Sequence, residues 1–266
     1  MGAAPSGRLV SAPDNAELVR VAEAAARAAA PELIERFARG AVNVMSKSTD
    51  TDLVSEADLA AERTIRELLG RERPDDAIMG EEGDDTPGST GLRWIVDPLD
   101  GTINYLYGHP QWCISVACED RAGVVFDPLR DELFAVAVGA APTLNGVPIG
   151  PGSPPERLGS ALVGTGFGYA AEARAAQAQL VSAVLPAVRD IRRAGAAALD
   201  LAWVAAGRLD AYFEHGVKPW DIAAGVLLCA AAGQHVEQLP AGGGLPAGVL
   251  AASPAIAPEL LALVRR

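Results

Sequence analysis

The sequence has few cysteines, and it has no long apolar run. Its three cysteines, Cys113, Cys118 and Cys229, show neither metal-finger spacing nor the even count of a disulfide framework, so we expect small core residues in a reducing compartment. No uninterrupted apolar stretch approaches the roughly 18 to 20 residues that cross a bilayer. Residues 1–13 lack both a basic cluster and an apolar signal core. These absences predict a cytoplasmic protein with no membrane partner.

Positive charge is also scarce. Lysine and arginine together number 22 against 34 acidic residues, which gives a formal net charge of −12. Nucleic acid and anionic membranes would be repelled by such a surface, so the composition predicts that neither is a partner. A small anionic substrate can still bind, provided that cations are held at the site.

The chain is long enough for a substantial core. Its 266 residues are 50% hydrophobic, which suits one large domain or two closely packed halves. Apolar residues at helical spacing predict a helix over residues 16–38, and its predicted buried stripe is Leu18, Val19, Ala22, Leu33, Ile34 and Phe37. Ser55 is a candidate N-cap for a second helix, with Asp58 three residues on.

Short apolar runs predict the strands. Residues 94–96 form a strand that delivers Asp97 to its end, and runs at 114–118, 124–126 and 133–138 lie close enough for antiparallel pairing. Residues 146–158, rich in Pro and Gly, are the best internal boundary. Beyond it, strands at 161–164 and 211–213 alternate with helices at 177–188, 196–207 and 221–232. We therefore expect an α+β half over 1–150 and an α/β half over 151–266, within one compact catalytic unit.

The segment WIVDPLDGTINY, residues 94–105, carries the strongest chemical signal. Asp97 and Asp100 are separated by Pro98, which stiffens the turn, so the two carboxylates can converge. Such hard oxygen ligands suit Mg²⁺. Gly101 allows a close backbone approach, and Thr102 can open a helix whose free N–H groups attract phosphate. Taken alone, the segment could also be a turn capped by aspartates.

Three further segments extend this pattern: KSTDTDLVSEAD at 47–58, IMGEE at 78–82 and WDIAAG at 220–225. RRAG at 192–195 and AYFE at 211–214 add to it. Together, in order and spacing, they resemble the inositol monophosphatase family. The resemblance implies a layered αβαβα sandwich of the type shared with fructose-1,6-bisphosphatase, and a lithium-sensitive, Mg²⁺-dependent homodimer that hydrolyses inositol monophosphate or a similar polyol phosphate. Alternatives are a histidinol-phosphate, fructose-1,6-bisphosphate or 3′-phosphonucleotide phosphatase, a regulatory protein that keeps the fold, or a metal-stabilised structural protein.

The resemblance implies two to three Mg²⁺ ions, with most of their ligands in the first half of the chain. Glu81, Asp97 and the carbonyl of Leu99 would bind the first, and Asp97, Asp100 and Asp221 the second. A weaker third would use Glu81 and water. Independently, so many carboxylates could not share one pocket in ionised form without divalent cations.

The implied mechanism is in-line attack by water that the metal activates, with no phosphoryl-enzyme. Asp58 and Thr102 would orient and deprotonate this water, and Glu81 would assist. The amides of Gly101 and Thr102 would hold phosphate oxygens. Lys47 could approach the phosphate when its flap closes. The local alternatives are a capping carboxylate for Asp58, a helix cap for Thr102 and a solvated surface lysine for Lys47.

The resemblance also implies substrate contacts from Asp100 in the first half of the chain. Those from the second half are Gly195, Ala196, Ala197, Glu214 and Asp221. Ala196 departs from the Ser or Thr usual in the family, which removes a hydroxyl. A ring of acceptors suits a neutral, hydroxyl-rich alcohol, although Glu214 could instead end a strand at the surface. Residues 103–105, Ile-Asn-Tyr, are typical of members that act on polyol phosphates. Histidinol-phosphate and nucleotide members more often place a basic residue there.

Overall fold

The structure is a computed structural model that describes residues 14–40, 45–46, 53–54 and 56–265. A short antiparallel pair, β1 (Met45–Ser46) and β2 (Leu53–Val54), precedes a seven-stranded sheet of order β3-β4-β5-β6-β7-β8-β9. The first pair of that sheet is parallel and the others are antiparallel. Its strands are β3 (Ala77–Gly80), β4 (Arg93–Asp100), β5 (Cys113–Cys118), β6 (Ala122–Asp127), β7 (Glu132–Ala137), β8 (Thr143–Leu144) and β9 (Val147–Pro148).

A second, five-stranded sheet is built from the rest of the chain. Its strands are β10 (Leu162–Thr165), β11 (Asp190–Arg192), β12 (Ala211–His215), β13 (His235–Leu239) and β14 (Gly248–Ala252). Their order is β11-β10-β12-β14-β13. The first three are parallel and the last two join antiparallel, so this sheet is mixed.

Seven helices complete the part of the chain that the structure describes: α1 (Asn15–Arg39), α2 (Glu56–Glu72), α3 (Thr102–Leu106), α4 (Ala171–Val184), α5 (Ala197–Ala205), α6 (Pro219–Ala231) and α7 (Ala257–Val264). Helices α1 and α2 pack on one face of the first sheet, and α5 and α6 lie between the two sheets. Helices α4 and α7 cover the outer face of the second sheet. This order of layers confirms the αβαβα sandwich.

Alternating side chains of β12 explain why helices cover both faces of the second sheet. Tyr212 points into the cluster shared with α5 and α6, whereas Ala211 and Phe213 point into the cluster shared with α4 and α7. Successive side chains of a strand face opposite sides. A strand that is apolar on both sides therefore needs a helix layer on each side.

The two N-terminal helices largely follow their predicted boundaries. Asp14 caps α1 by accepting the N–H of Ala16 at 3.3 Å, and Leu18, Ala22 and Leu33 are fully buried. Val19 and Phe37 are half-buried. Ile34 was wrongly placed in the stripe: it is 39% exposed, because its neighbour Leu33 takes the buried direction. Helix α2 begins at the predicted place, with Asp58 in its first turn.

Other elements have boundaries that differ from the predicted ones. Helix α4 begins and ends earlier than predicted, and a short 3₁₀ turn at Leu185–Ala187 with Pro186 follows it. The Pro/Gly-rich boundary at 146–158 contains β9. No helix within the described ranges is long and apolar enough to cross a bilayer.

Candidate metal centre and substrate cleft

Strand β4 carries two of the predicted ligands, although not as expected. It continues past Asp97 to Asp100, and its register against β5 shifts between these residues. The prediction that Asp97 ends the strand was therefore wrong. Pro98 has no N–H to donate to a ladder, and the N–H of Leu99 donates to Asp97 Oδ1 at 3.0 Å. Such irregularities re-aim side chains, here beside the metal-ligand candidates.

Three of the predicted carboxylates converge. Glu81, Asp97 and Asp221 each offer an oxygen, and these oxygens lie within 4.8 Å of one another. Glu81 follows β3, and its N–H donates to the carbonyl of Val96 at 3.2 Å. Asp221 lies in the first turn of α6 and accepts the N–H of Lys218 at 2.6 Å. The cluster therefore joins the first sheet to a helix that lies between the sheets.

A buried glutamate, not predicted from the sequence, holds the turn after Glu81. Glu62 is 2% exposed and accepts the N–H groups of Glu82 at 2.8 Å and Gly83 at 2.9 Å. Arg66 donates to the same carboxylate at 2.6 Å. These bonds fix the backbone next to Glu81, and the Glu82 amide points to Glu62.

The chemistry of the cluster fits a divalent cation. Burial, followed by the charges of neighbouring carboxylates, raises the pKa of Asp97 and of Asp221 well above the usual range of aspartate. A bound cation would offset this repulsion and restore the ionised forms. An all-oxygen donor set of this kind suits Mg²⁺.

Asp100 is close by but is held differently. It is not a member of the three-carboxylate group, which was sought among the described residues. Its Oδ2 accepts the N–H of Ala198 at 2.7 Å, and the Ala197 amide also bonds to this carboxylate. Burial raises the pKa of Asp100 to about 7. Asp100 therefore joins the edge of the carboxylate cluster to the first turn of α5.

Cys113 is more than a core residue. All three cysteines are buried as predicted, but the Cys113 thiol lies 3.6 Å from Asp100 Oδ2. Burial and the neighbouring aspartates raise the pKa of this thiol well above its usual value. The thiol therefore stays protonated and donates to Asp100. No local sequence pattern predicts this contact.

Asp58 and Thr102 meet in the buried interior, as the resemblance implied. Thr102 Oγ1 lies 3.0 Å from Asp58 Oδ1 and 3.1 Å from the carbonyl of Leu99. Because a hydroxyl carries one proton, it donates to only one of these oxygens at a time. Thr102 is not a helix cap: α3 begins at Thr102, and its N-cap is Gly101 with φ of +97°. A Cβ at Gly101 would lie 2.8 Å from the carbonyl of Gln111, so both its conformation and its surroundings require glycine.

A cleft of about 420 Å³ opens beside the cluster. Its lining includes Gly195 and Ala197, as predicted, whereas Ala196 is 1% exposed and does not line it. The Ala196 side chain therefore belongs to the core, and a substrate contact at this position could come only from its backbone, which stays a prediction. The lining comprises Glu81, Asp100, Gly101, Gly166, Phe167, Gly168, Tyr169, Ala170, Ala173, Arg193, Gly195, Ala197, Glu214, Gly216, Val217, Lys218, Trp220, Asp221 and Pro246.

Glu214 lies on the wall of this cleft rather than at an open strand end. The Tyr212 hydroxyl donates to its carboxylate. A Cβ at Gly166 would lie 1.9 Å from Glu214 Oε2, so the carboxylate occupies space that only glycine leaves free. Burial raises the pKa of Glu214, while the Tyr212 hydrogen bond and the charge of Arg193 oppose this effect.

The uncharged residues after Thr102 have contacts within the chain. Asn104 Nδ2 lies 2.7 Å from the carbonyl of Gln111 and 2.8 Å from that of Ala194. The Tyr105 hydroxyl donates to the carbonyl of Leu33 at 2.8 Å, and its ring packs among Phe37 and Trp112. Asn104 thus fixes the backbone beside Gly195, whereas Tyr105 ties α3 to α1.

The cleft also contains side chains to which no role was assigned. Phe167, Tyr169, Arg193 and Lys218 line it, and the Arg193 guanidinium lies 5.8 Å from the centre of the Phe167 ring. Arg193 belongs to the RRAG segment that contributes to the family resemblance, but the sequence alone assigned no role to it. Lys47 lies outside the described residues.

The layered sandwich and the carboxylate cluster beside a cleft define a class of α/β proteins with an acidic centre that could bind metal ions. Comparison with known proteins agrees. The sequence profile of the inositol monophosphatase family matches residues 14–266. The chain therefore belongs to the inositol monophosphatase family. This membership supports a phosphatase of that superfamily.

Individual relatives are similar over most of their length. The inositol-1-monophosphatase SuhB of Mycobacterium tuberculosis H37Rv is 43% identical over 247 residues, which cover 88% of this chain and 85% of that protein. The Nus factor SuhB of Xylella fastidiosa is 44% identical over 224 residues, covering 82% and 80%. The crystal structure of the extragenic suppressor protein suhB from Bartonella henselae superposes with a TM-score of 0.85 at 32% identity, covering 94% and 99%.

Proposed function

We propose that this protein is a Mg²⁺-dependent phosphatase that hydrolyses inositol monophosphate or a similar polyol phosphate. The observation that carries the proposal is the convergence of Glu81, Asp97 and Asp221 within 4.8 Å beside a cleft that also contains Glu214. The cluster suits metal ions, and the cleft suits a hydroxyl-rich alcohol.

Glu81, Asp97 and Asp221 would hold Mg²⁺, with the Leu99 carbonyl and Asp100 as further ligands, for two to three ions in all. Bound Mg²⁺ would supply electrophilic activation of water and neutralise phosphate charge. Asp100 is anchored to α5 by the Ala197 and Ala198 amides, so the second half of the chain helps to position the ligand set. In this way both halves of the chain would contribute to one site.

Asp58 and Thr102 would orient and deprotonate the attacking water. When the Thr102 hydroxyl donates to Asp58 at 3.0 Å, its oxygen can accept a hydrogen bond from water, and Asp58 gains a path for that proton. Their burial, at 1% and 7% exposed, excludes bulk water from the pair. The amides of Gly101 and Thr102 would bind phosphate oxygens.

Glu214 would accept hydrogen bonds from the hydroxyls of the alcohol. The Tyr212 hydroxyl and the close approach of Gly166 fix its carboxylate on the cleft wall. Gly195, Ala197 and Asp221 would complete the contacts around the alcohol. Lithium inhibition, a homodimer and a cytoplasmic location stay predictions.

A regulatory role is the second candidate. Relatives such as the one from Xylella fastidiosa are named Nus factor SuhB, so the comparisons do not support the predicted absence of a nucleic-acid partner. A regulator would not need the buried Asp58–Thr102 contact or the acidic cluster, and this chain keeps both. We therefore place hydrolysis first.

A substrate panel tests the proposal. Purified protein with Mg²⁺ should release phosphate from myo-inositol 1-phosphate with a higher kcat/KM than from histidinol phosphate, fructose 1,6-bisphosphate or a 3′-phosphonucleotide. A clear preference for histidinol phosphate would refute the choice of substrate but keep the phosphatase. Absence of turnover with every ester would favour the regulatory candidate.

A further inference from the structure

Arg193 is an exposed residue that lines the cleft, and its guanidinium has no ion-pair partner among the residues that the structure describes. Its Nη1 would be 2.3 Å from a Cβ at position 195, and Gly195 has φ of +91°. Glycine at this position therefore makes the room that the guanidinium occupies. A side chain there would displace the guanidinium.

A chain of contacts places Arg193 on the same wall as Glu214. The Arg193 guanidinium faces the Phe167 ring at 5.8 Å, and the preceding residue, Gly166, lies against the Glu214 carboxylate. The positive charge of Arg193 also opposes the rise in the pKa of Glu214. The two groups are thus neighbours in the cleft, although they form no salt bridge in the described chain.

The adjacent arginine provides a contrast. Arg192 Nη1 donates to Asp190 Oδ2 at 2.6 Å and to the carbonyl of Ile191 at 2.9 Å, and Arg192 does not line the cleft. Its donors are already used at the protein surface. Of this pair, only Arg193 lines the cleft, and no hydrogen bond within the described chain uses its donors.

We propose that Arg193 and Glu214 together recognise a vicinal diol on the alcohol part of the substrate. A carboxylate only accepts hydrogen bonds and a guanidinium only donates them, whereas a hydroxyl does both. Two adjacent hydroxyls can satisfy the pair, one donating to Glu214 and the other accepting from Arg193. Arg193 would then be a further residue that determines specificity for the alcohol, beside Glu214, and this inference rests on the proposed function.

The surrounding charge disfavours the alternative, a second anionic group bound by Arg193. Glu214 shares the wall with Arg193 and is not among the proposed metal ligands. A second anion at Arg193 would therefore lie close to the Glu214 carboxylate, which disfavours its binding. A neutral diol incurs no such repulsion.

Kinetics of Arg193→Gln test the inference, with Arg192→Gln as the matched control. The esters are myo-inositol 1-phosphate and cyclohexyl phosphate, which has the same ring size and no hydroxyl. Arg193→Gln should raise KM for the inositol ester by about tenfold or more relative to its effect on cyclohexyl phosphate, because only the former loses a charge-assisted hydrogen bond. Arg192→Gln should change the two esters equally.

A double variant tests whether the two residues act on one diol. If they do, Arg193→Gln combined with Glu214→Gln should raise KM for the inositol ester by less than the product of the single effects. Equal changes for both esters, or a fully multiplicative double effect, would overturn the inference. A larger loss with an inositol bisphosphate than with the monophosphate would show that Arg193 binds an anion, and would overturn it too.

The failure of this inference can be distinguished from failure of the proposed function. If the unaltered protein hydrolyses both esters with Mg²⁺ but Arg193→Gln changes KM for the two esters equally, only the diol inference is wrong. If the unaltered protein hydrolyses neither ester, the proposed function falls, and the diol inference falls with it.

Discussion

Replacing Asp97 by asparagine should stabilise the metal-free protein while it removes activity. Asp97 is 1% exposed, and its Oδ1 accepts the N–H of Leu99 at 3.0 Å. The amide oxygen of asparagine can keep that hydrogen bond. The variant loses the negative charge that faces Glu81 and Asp221. The repulsion within the carboxylate cluster therefore falls, and so does the affinity of the cluster for metal.

The structure sets the size of the expected gain. Two unit charges no more than 4.8 Å apart repel each other by about 3.5 kcal/mol at an effective dielectric constant near 20. The metal-free protein avoids part of this repulsion by taking up protons, because the pKa values of Asp97 and Asp221 are raised. We therefore expect a net gain of roughly 1 to 3 kcal/mol near neutral pH. This corresponds to a Tm increase of about 3 to 10 °C.

Thermal unfolding in EDTA and in Mg²⁺ measures this effect. The unaltered protein should be stabilised by about 2.7 kcal/mol at a Mg²⁺ concentration one hundred times its Kd, and Asp97→Asn should lose most of that response. Asp84→Asn, which removes the same charge from an exposed residue, should behave like the unaltered protein. A lower Tm for Asp97→Asn in EDTA, or an undiminished Mg²⁺ response, would refute the reasoning.

Three further predictions follow from the same contacts. Asp58→Asn and Thr102→Ala should each lower kcat by about 10²-fold or more, and the double variant should be little worse; multiplicative losses would show that the two residues act separately. Gly166→Ala should displace the Glu214 carboxylate, 1.9 Å from the new Cβ, and raise KM for inositol 1-phosphate by roughly tenfold with little change in Tm; an unchanged KM would contradict this. Burial raises the pKa of Asp100 from 3.8 to about 7, so the folded state binds more protons and the contribution of Asp100 to metal-free stability falls as pH rises across that interval. The Tm gain from Mg²⁺ should then be larger at pH 8 than at pH 5, and equal gains would count against the assignment.

Elements with a strong local signal were predicted well from the sequence. The helical spacing over residues 16–38 corresponds to α1, and the three apolar runs after residue 113 correspond to β5, β6 and β7. Helix α3 begins at Thr102, where the sequence indicated a helix. Helix α7 and strands β3, β8, β9, β11, β13 and β14 were missed, because they are short or depend on partners distant in sequence. The bulge that carries β4 past Asp97 also depends on its register with β5, which no local pattern records.

The site shows the same division between local pattern and long-range contact. Resemblance to the family picked out Glu81, Asp97 and Asp221, which the fold brings together. It did not indicate that Glu62 holds the turn after Glu81, or that the Cys113 thiol faces Asp100. The burial of Ala196 was also missed, because the side-chain directions at the start of α5 follow from the packing of that helix between two sheets.

Phosphate release from myo-inositol 1-phosphate, measured as Mg²⁺ is returned to metal-free protein, is the most direct test of the metal-dependent phosphatase. Release should be absent in EDTA and should rise with Mg²⁺ over the same concentration range that raises the Tm. Asp97→Asn should release almost none at any Mg²⁺ concentration. Undiminished release in EDTA, or near-normal turnover by Asp97→Asn at saturating Mg²⁺, would contradict the proposal that these carboxylates hold the catalytic metal.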